Sequence, residues 1–428
     1  MRPLSATPRV RRVSWALMDG AREPFFSIVL SIVFPPFFVG HIAADPVSGT
    51  AQWGYALSGA ALLLVLLAPV AGVIADLSRR RKWWIGGCIG VAALALVSLW
   101  PATADVALPY VVIGLCVLAY VAIELTRVFT DGLIARVANP DEIGRLSGLG
   151  VGIGFAATFA YLGAVSVGSR LSFEPGIVER AATTATGVWL VLLAIPFFVF
   201  CPGGDGSRSG DRAAFEGPLG RVAAALMLLR RDRQLGRFLL ARMAYWDGTM
   251  ALFAFLTILA STQLGWGVEA LTRFGLLGLL AGAVAGLAAG RLDAKLGARN
   301  SILLSLVGLL VCTVVLFVTS GIGRSPEDRI DERTGIDEVF LATGVIASAC
   351  LGVIMSSSRA LLARLAPAQR LGEYFGLYVM VGRASSFIAP LLVAVSTSLS
   401  GNQRLSVFGV AMTLLAGGVA LLSRVQRC

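Results

Sequence analysis

Eleven ionisable side chains interrupt stretches of this chain that are otherwise apolar: Asp19, Arg22, Glu23, Glu124, Arg127, Asp131, Arg242, Asp247, Arg359, Glu373 and Arg383. Facing lipid, each would cost roughly 3 kcal/mol on insertion scales, on the order of 30 kcal/mol together. They must therefore pair with one another or line a wet cavity. Glu124, Arg127 and Asp131 stand three and four residues apart, so a helix places the guanidinium between two acids on one face. Asp19, Arg22 and Glu23 repeat that geometry, and Ser27 continues the face. In the second half, Arg242 lies about one turn from Asp247, within reach of Trp246 for a cation–π contact. Acids and guanidinium forks presented together suit a solute carrying both an ammonium and a carboxylate, or an organic anion held by Arg. The candidate substrate ligands are thus Asp19, Arg22, Glu23, Glu124, Arg127, Arg242, Trp246, Asp247 and Arg383. The alternative is that these groups mainly satisfy one another as gates between helices.

Asp19, Glu23 and Glu124 are the candidate proton carriers, because the single histidine, His41, falls at the outer end of the first apolar stretch. Desolvation favours a neutral carboxyl and a nearby Arg favours the charged one, so switching between the two settings loads and releases a proton. One proton moving through about 100 mV supplies about 2.3 kcal/mol, enough for a roughly fifty-fold solute gradient. Phosphate-driven transport is not expected, since neither lysine, Lys82 or Lys295, sits in a Gly-x-x-x-x-Gly-Lys-Ser/Thr loop. Nor is an enzyme: one His and six scattered cysteines offer no metal cluster, no cofactor loop and no nucleophile–base constellation. A sensor that keeps a transporter's architecture but moves nothing remains a separate class to test.

The elements that position these groups are set by hydropathy. Of 428 residues, 57% are apolar and 14% charged, with mean hydropathy +0.80, well outside the soluble range. An all-α membrane protein follows, with twelve apolar windows at about 14–40, 52–75, 82–100, 106–131, 143–168, 183–200, 235–261, 268–290, 300–320, 337–362, 371–396 and 404–423. Asp19, Arg22, Glu23 and Pro35-Pro36 spoil the uniform apolar core of a cleaved leader, so the first window is expected to be retained. Pro202 to Gly210 has linker composition, dividing the chain into six-helix bundles at 1–200 and 235–428 joined by a cytoplasmic segment at 201–234. Within that segment, Leu219 to Leu229 has the pattern of a basic amphipathic helix, or of a simple linker helix. The net charge of +11 sits in short clusters between spans, the pattern that orients membrane proteins rather than one that binds nucleic acid. Most cations fall on the side holding both termini, which places those termini in the cytoplasm of a bacterial plasma membrane. The stretch Gly321 to Glu338 reads as a solvated outer loop. Small-molecule substrate, protons and the bilayer are the expected partners, and a monomer the expected state.

Positions 228 apart repeat: Asp19-Gly20 on Asp247-Gly248, Leu133 to Ala138 on Leu361 to Ala366, and Gly144, Gly148 and Leu149 on Gly372, Gly376 and Leu377. The halves read as parallel copies around a central path. The short loops after spans 2 and 8 each hold an acid followed by cations, Asp76 with Arg80 and Asp293 with Arg299. They are read as conformational latches, and Asp131, Arg359 and Glu373, near the cytoplasmic ends, join them as gating candidates. Gly278, Gly282, Gly286 and Gly290 along span 8, and Gly148, Gly150, Gly152 and Gly154 along span 5, read as small faces where the two bundles meet.

The paired loop pattern resembles the signature of the major facilitator superfamily. Trp15 to Asp19, Ile143 to Gly150, Tyr245 to Gly248, Glu373 to Tyr378 and Gly382 to Phe387 are similar to the vacuole-effluxer-like branch of it. The resemblance runs from the first span to the eleventh. It implies the major facilitator fold, alternating access and a cavity lined by the first and fourth spans. Because that branch is named for fungal permeases releasing amino acids from the vacuole, amino acids are the first cargo to test. The branch's usual Asp-Trp-Ala-Asn run in the first span reads Asp19-Gly20-Ala21-Arg22 here. An exporter of amphipathic drugs or lipids is the second reading, on Phe25, Phe26, Phe37, Phe38, Trp246, Phe253 and Phe255.

Overall fold

A computed structural model of the chain describes residues 7–77, 81–103, 108–131, 133, 137, 143–171, 174, 176–201, 233–321, 330–366 and 371–425. Among them there is no β-strand. Eleven helices are long and apolar enough to cross a bilayer, and Arg81–Val97, at 17 residues, is a shorter twelfth. The expected linker at 201–234, with its candidate amphipathic helix, lies outside the described residues apart from its two ends.

The first span is not one uniform helix. α1 (Pro8–Ser27) starts where Thr7 Oγ1 accepts from Val10 N and Pro8 supplies a preset φ. It continues as a π-type turn at Ile28–Ile32, a short α2 (Phe34–Phe37) and a second π-type turn at Phe38–Ile42. Pro35 and Pro36 have no N–H to give the carbonyls four residues back, and Val33 N instead reaches Ile28 O at 3.1 Å.

The other helices of the first half are α3 (Pro46–Leu77), α4 (Arg81–Val97), α5 (Pro109–Asp131), α6 (Ile143–Gly168) and α7 (Ile177–Phe200). Those of the second half are α8 (Arg233–Leu264), α9 (Val268–Leu296), α10 (Ala298–Thr319), α11 (Ile330–Leu365), α12 (Leu371–Ser385), α13 (Ile388–Ser400) and α14 (Gln403–Leu422). Two differences from the hydropathy reading have local causes. α11 starts at Ile330, so residues 330–338 extend the helix instead of forming outer loop. The eleventh span breaks between α12 and α13, where Pro390 cannot donate to Ser386 O.

The chain groups into two compact units: Met1–Asp45, Gly59–Asp211 and Gly267–Thr272 in unit 1, and Pro46–Ser58, Arg212–Trp266 and Arg273–Cys428 in unit 2. Within unit 1, α1 packs on α6 and α7, and α4 on α5 and α7. Within unit 2, α8 packs on α14 and α12, and α10 on α11 and α14. Buried cores are aromatic and aliphatic: Phe25, Phe34, Leu96, Leu190 and Phe197 in one, Phe238, Leu252, Phe255, Phe340 and Phe408 in the other. Large apolar side chains such as Leu94, Trp83, Leu287 and Leu399 lie exposed on the outside, as expected where lipid is the solvent. Phe25, Phe37, Phe38 and Phe255, which the amphipathic-cargo reading needs around a cavity, are core residues of their own units.

The glycine faces do a different job from the one expected. Gly278, Gly282 and Gly286 of α9 lie against Ser348 and Gly352 of α11, inside unit 2, while nothing lies within 4 Å of where a Gly290 Cβ would be. Gly150 and Gly154 of α6 receive side chains from α1, inside unit 1. Both stripes therefore bring helices together within a unit, because a bare Cα is what lets two backbones touch.

Candidate functional site

Each unit holds a buried polar cluster built around its first helix. In unit 1, Arg22 is 1% exposed and uses two nitrogens. Nη2 donates to Asp19 Oδ1 at 2.5 Å, and Nη1 donates to Thr130 Oγ1 of α5 at 2.8 Å. Thr130 Oγ1 donates onward to Thr126 O, and Trp15 Nε1 donates to Thr130 O at 3.0 Å. One turn along α1, Glu23 Oε1 accepts from Arg127 Nη2 of α5 at 2.8 Å, and the same guanidinium lies 5.5 Å from the Phe26 ring centre. The Arg127–Glu23 pair is partly open, at 27% and 36% side-chain exposure, against 1% and 19% for Arg22 and Asp19.

Glycine makes room for both acids. A Cβ on Gly150 would collide with Asp19 Oδ2, and one on Gly154 would sit 2.7 Å from Glu23 Cγ. Gly20 closes against Ile153 of α6, and its carbonyl accepts from Trp189 Nε1 of α7 at 3.0 Å. Glu124 is half-buried on α5, one turn before Arg127.

Unit 2 treats its charges differently. Arg242 of α8 is 7% exposed and lies 3.6 Å from the Tyr378 ring centre and 5.4 Å from that of Trp246. Nη1 also donates to Tyr378 O at 3.4 Å, while Nε has no hydrogen-bond partner. The bare Cα of Gly382 gives the guanidinium its space. Asp247, 3% exposed, accepts from Ser385 Oγ of α12 at 3.2 Å. Among the described residues, no carboxylate lies within ion-pair distance of Arg242 and no cation within ion-pair distance of Asp247. Unit 1 neutralises its guanidinium groups with acids, whereas unit 2 cushions one on aromatic faces.

Of the remaining candidates, Arg383 is exposed at the end of α12 and Arg359 is exposed on α11. Asp293 accepts from Ser357 Oγ of α11 at 2.7 Å, and Arg299 donates to the last carbonyls of α14, Leu422 O and Ser423 O. Each tethers one end of the turn between α9 and α10 to a different helix. Arg80 and the side chains of Asp76, Asp131 and Glu373 lie outside the described residues.

Sequence reasoning singled out neither Thr130 nor Trp189 nor Ser385 as a ligand, since a neutral side chain in an apolar run gives no charge signal. Tyr378 and Gly382 did carry one, standing 228 positions after Gly150 and Gly154. In both halves those positions lie under the charged side chains of the first helix.

Twelve apolar spans, with ionisable side chains buried around the first helix of each half, are the architecture of a multi-pass membrane transporter of the major facilitator superfamily. Solved structures agree on the fold: the nucleoside transporter NupG matches with TM-score 0.69 at 12% identity, covering 97% of both chains. A D-xylose-proton symporter matches with TM-score 0.67 at 11% identity, covering 96% of this chain and 97% of that one. Within the superfamily, the chain belongs to the vacuole effluxer Atg22-like family, whose family model matches residues 136–427. It is 25% identical over 420 residues to YxiO of Bacillus subtilis, an uncharacterized MFS-type transporter, covering 95% of this chain and 93% of that protein. It is 24% identical over 298 residues to Autophagy-related protein 22 of Cryptococcus neoformans, covering 66% of this chain and 50% of that protein.

Proposed function

We propose that this transporter is a secondary active carrier, proton-coupled, that moves a small polar solute bearing a carboxylate by alternating access, with amino acids the first class to test. The observation that carries this reading is Arg242. It is a buried guanidinium without a carboxylate partner among the described residues, and one N–H is unused. A desolvated fork of this kind is completed by an anionic group from outside. Asp247, about one turn along the same helix, supplies an acid for an ammonium group when it is unprotonated. Asp76, Arg80, Asp131, Asp293, Arg299, Arg359 and Glu373 are assigned to gating at the cytoplasmic ends. The division into bundles at 1–200 and 235–428, the plasma membrane of a bacterium as address and cytoplasmic termini complete the reading, supported by the Bacillus relative and the placement of Arg.

The test is uptake of a labelled amino-acid mixture into proteoliposomes, with and without an imposed pH gradient. Gradient-stimulated uptake that Arg242→Ala abolishes supports the reading. Equal uptake by the parent and Arg242→Ala proteins rules out the anion role, and indifference to the gradient rules out the coupling.

A further inference from the structure

We propose that Asp247, held by Ser385, is where this transporter takes up and releases its coupling proton, an assignment that rests on the proton-coupled reading above. Protonation strands different partners at the buried acids: Asp293 is also held by a hydroxyl, Ser357, but stands at the end of α9 among the residues assigned to gating, whereas Asp19, Glu23 and Asp247 stand on the first helices of the two halves. Neutralising Asp19 removes the carboxylate paired with Arg22, the one such partner among the described residues, from a guanidinium 1% exposed. Breaking a buried pair by losing one partner is strongly unfavourable. Glu23 is paired with Arg127 across two helices, so its protonation breaks an ion pair too, at a smaller cost because both side chains are partly open. Asp247 is as enclosed as Arg22, but its bonded partner is a neutral hydroxyl at 3.2 Å, so a proton there leaves no cation unpaired.

The charged and titratable groups around Asp247 are few. Arg242 and Tyr245 stand on α8 itself, and Tyr245 shares a hydrogen bond with Ser358 of α11. Tyr378 comes from α12, where Arg383 is exposed two residues before Ser385. α13 has no ionisable residue, and the single one in α14, Arg404, is bonded to Ser320 and Phe317. Among the described residues Arg242 is thus the cation available to Asp247, and it rests on aromatic faces rather than on the acid. In the transfer one O–H bond forms between a solvent proton and a carboxylate oxygen of Asp247, and the same bond breaks on release. Loss of the proton creates an anion that draws Arg242 off Tyr378, coupling protonation to the anion subsite.

The experiment is pH-difference infrared spectroscopy of the full chain in lipid nanodiscs. A protonated-carboxyl band that appears on acidification, disappears in Asp247→Asn, persists in Asp19→Asn and returns in Asp247→Glu is the expected result. The Asn change keeps size and the Ser385 contact, and a thermal melt confirms folding. A titrating band unchanged in Asp247→Asn, or lost in Asp19→Asn instead, overturns the assignment. This readout needs no solute, so it stands apart from proteoliposome uptake. If the parent protein ignores a pH gradient while the Asp247 band still titrates, coupled transport fails and the protonation site does not.

Discussion

Replacing Gly150 with alanine sets two effects of opposite sign against each other. In an exposed helix interior the change would be favourable by up to about 1 kcal/mol. Here the new methyl lands on Asp19 Oδ2, and Asp19 cannot swing away without leaving Arg22, which is 1% exposed. Outright loss of one partner from a buried pair costs about 3 to 5 kcal/mol. Arg22 keeps its bond to Thr130 and Asp19 is displaced rather than removed, so about 2 to 3 kcal/mol is the reasonable share. The net expectation is destabilisation by about 1 to 2 kcal/mol. Gly152, two residues away, has nothing within 4 Å of its Cβ position, and its alanine variant is expected to be neutral or slightly more stable. Thermal or denaturant melts of the purified protein in one detergent measure both. An Asp19→Ala background completes a double-mutant cycle, in which the Gly150→Ala penalty disappears because the clashing oxygen is gone. Equal melting of the Gly150→Ala and Gly152→Ala proteins, or a penalty that survives in the Asp19→Ala background, would refute the packing of Asp19 between Gly150 and Arg22.

Arg127→Ala is expected to cost under about 1 kcal/mol in a melt, since the Glu23 pair is partly exposed, yet to abolish solute uptake in proteoliposomes; normal uptake counts against a role for the pair. Gly352→Ala, whose Cβ would fall on Gly282 O, separates α9 from α11 and costs about 1 to 3 kcal/mol, whereas Gly290→Ala does not, a contrast that melting reads directly. Gln403, 5% exposed, accepts from Thr50 Oγ1 and donates to Thr262 Oγ1, both at 2.7 Å. Gln403→Leu removes both bonds but leaves each hydroxyl its backbone acceptor, Pro46 O and Ile258 O, and is expected to cost about 0.5 to 1.5 kcal/mol; a melt equal to that of the parent would show the amide to be dispensable.

Span positions were legible because twenty apolar residues in a row are a local property, and lipid leaves a backbone little choice but helix. The 228-residue offset was legible for the same reason, as a comparison of the chain with itself. Where a span bends was not read in advance at Pro35-Pro36 or at Pro390, although proline's missing N–H was there to see. Cost alone also dictated that the buried charges be satisfied. Partner identity was another matter. By spacing on its own helix, Arg127 lies between Glu124 and Asp131, and α1 adds Glu23 at 2.8 Å, a partner that spacing did not point to. Likewise Gly150 and Gly154 looked like a sliding surface, and they proved to be the beds of two carboxylates on a neighbouring helix. The local sequence gives Asp19 a cation three residues on, Arg22, where its repeat mate Asp247 has Met250, but it gives no hint of the serine 138 positions away that holds Asp247. Hydrophobicity and periodicity act within one helix, whereas hydrogen bonds and ion pairs depend on which helices the tertiary fold makes neighbours. The sequence therefore determined that charges enter the apolar spans and that Asp19 has Arg22 one turn away, and only the tertiary structure decided which charges are buried and which pair between helices.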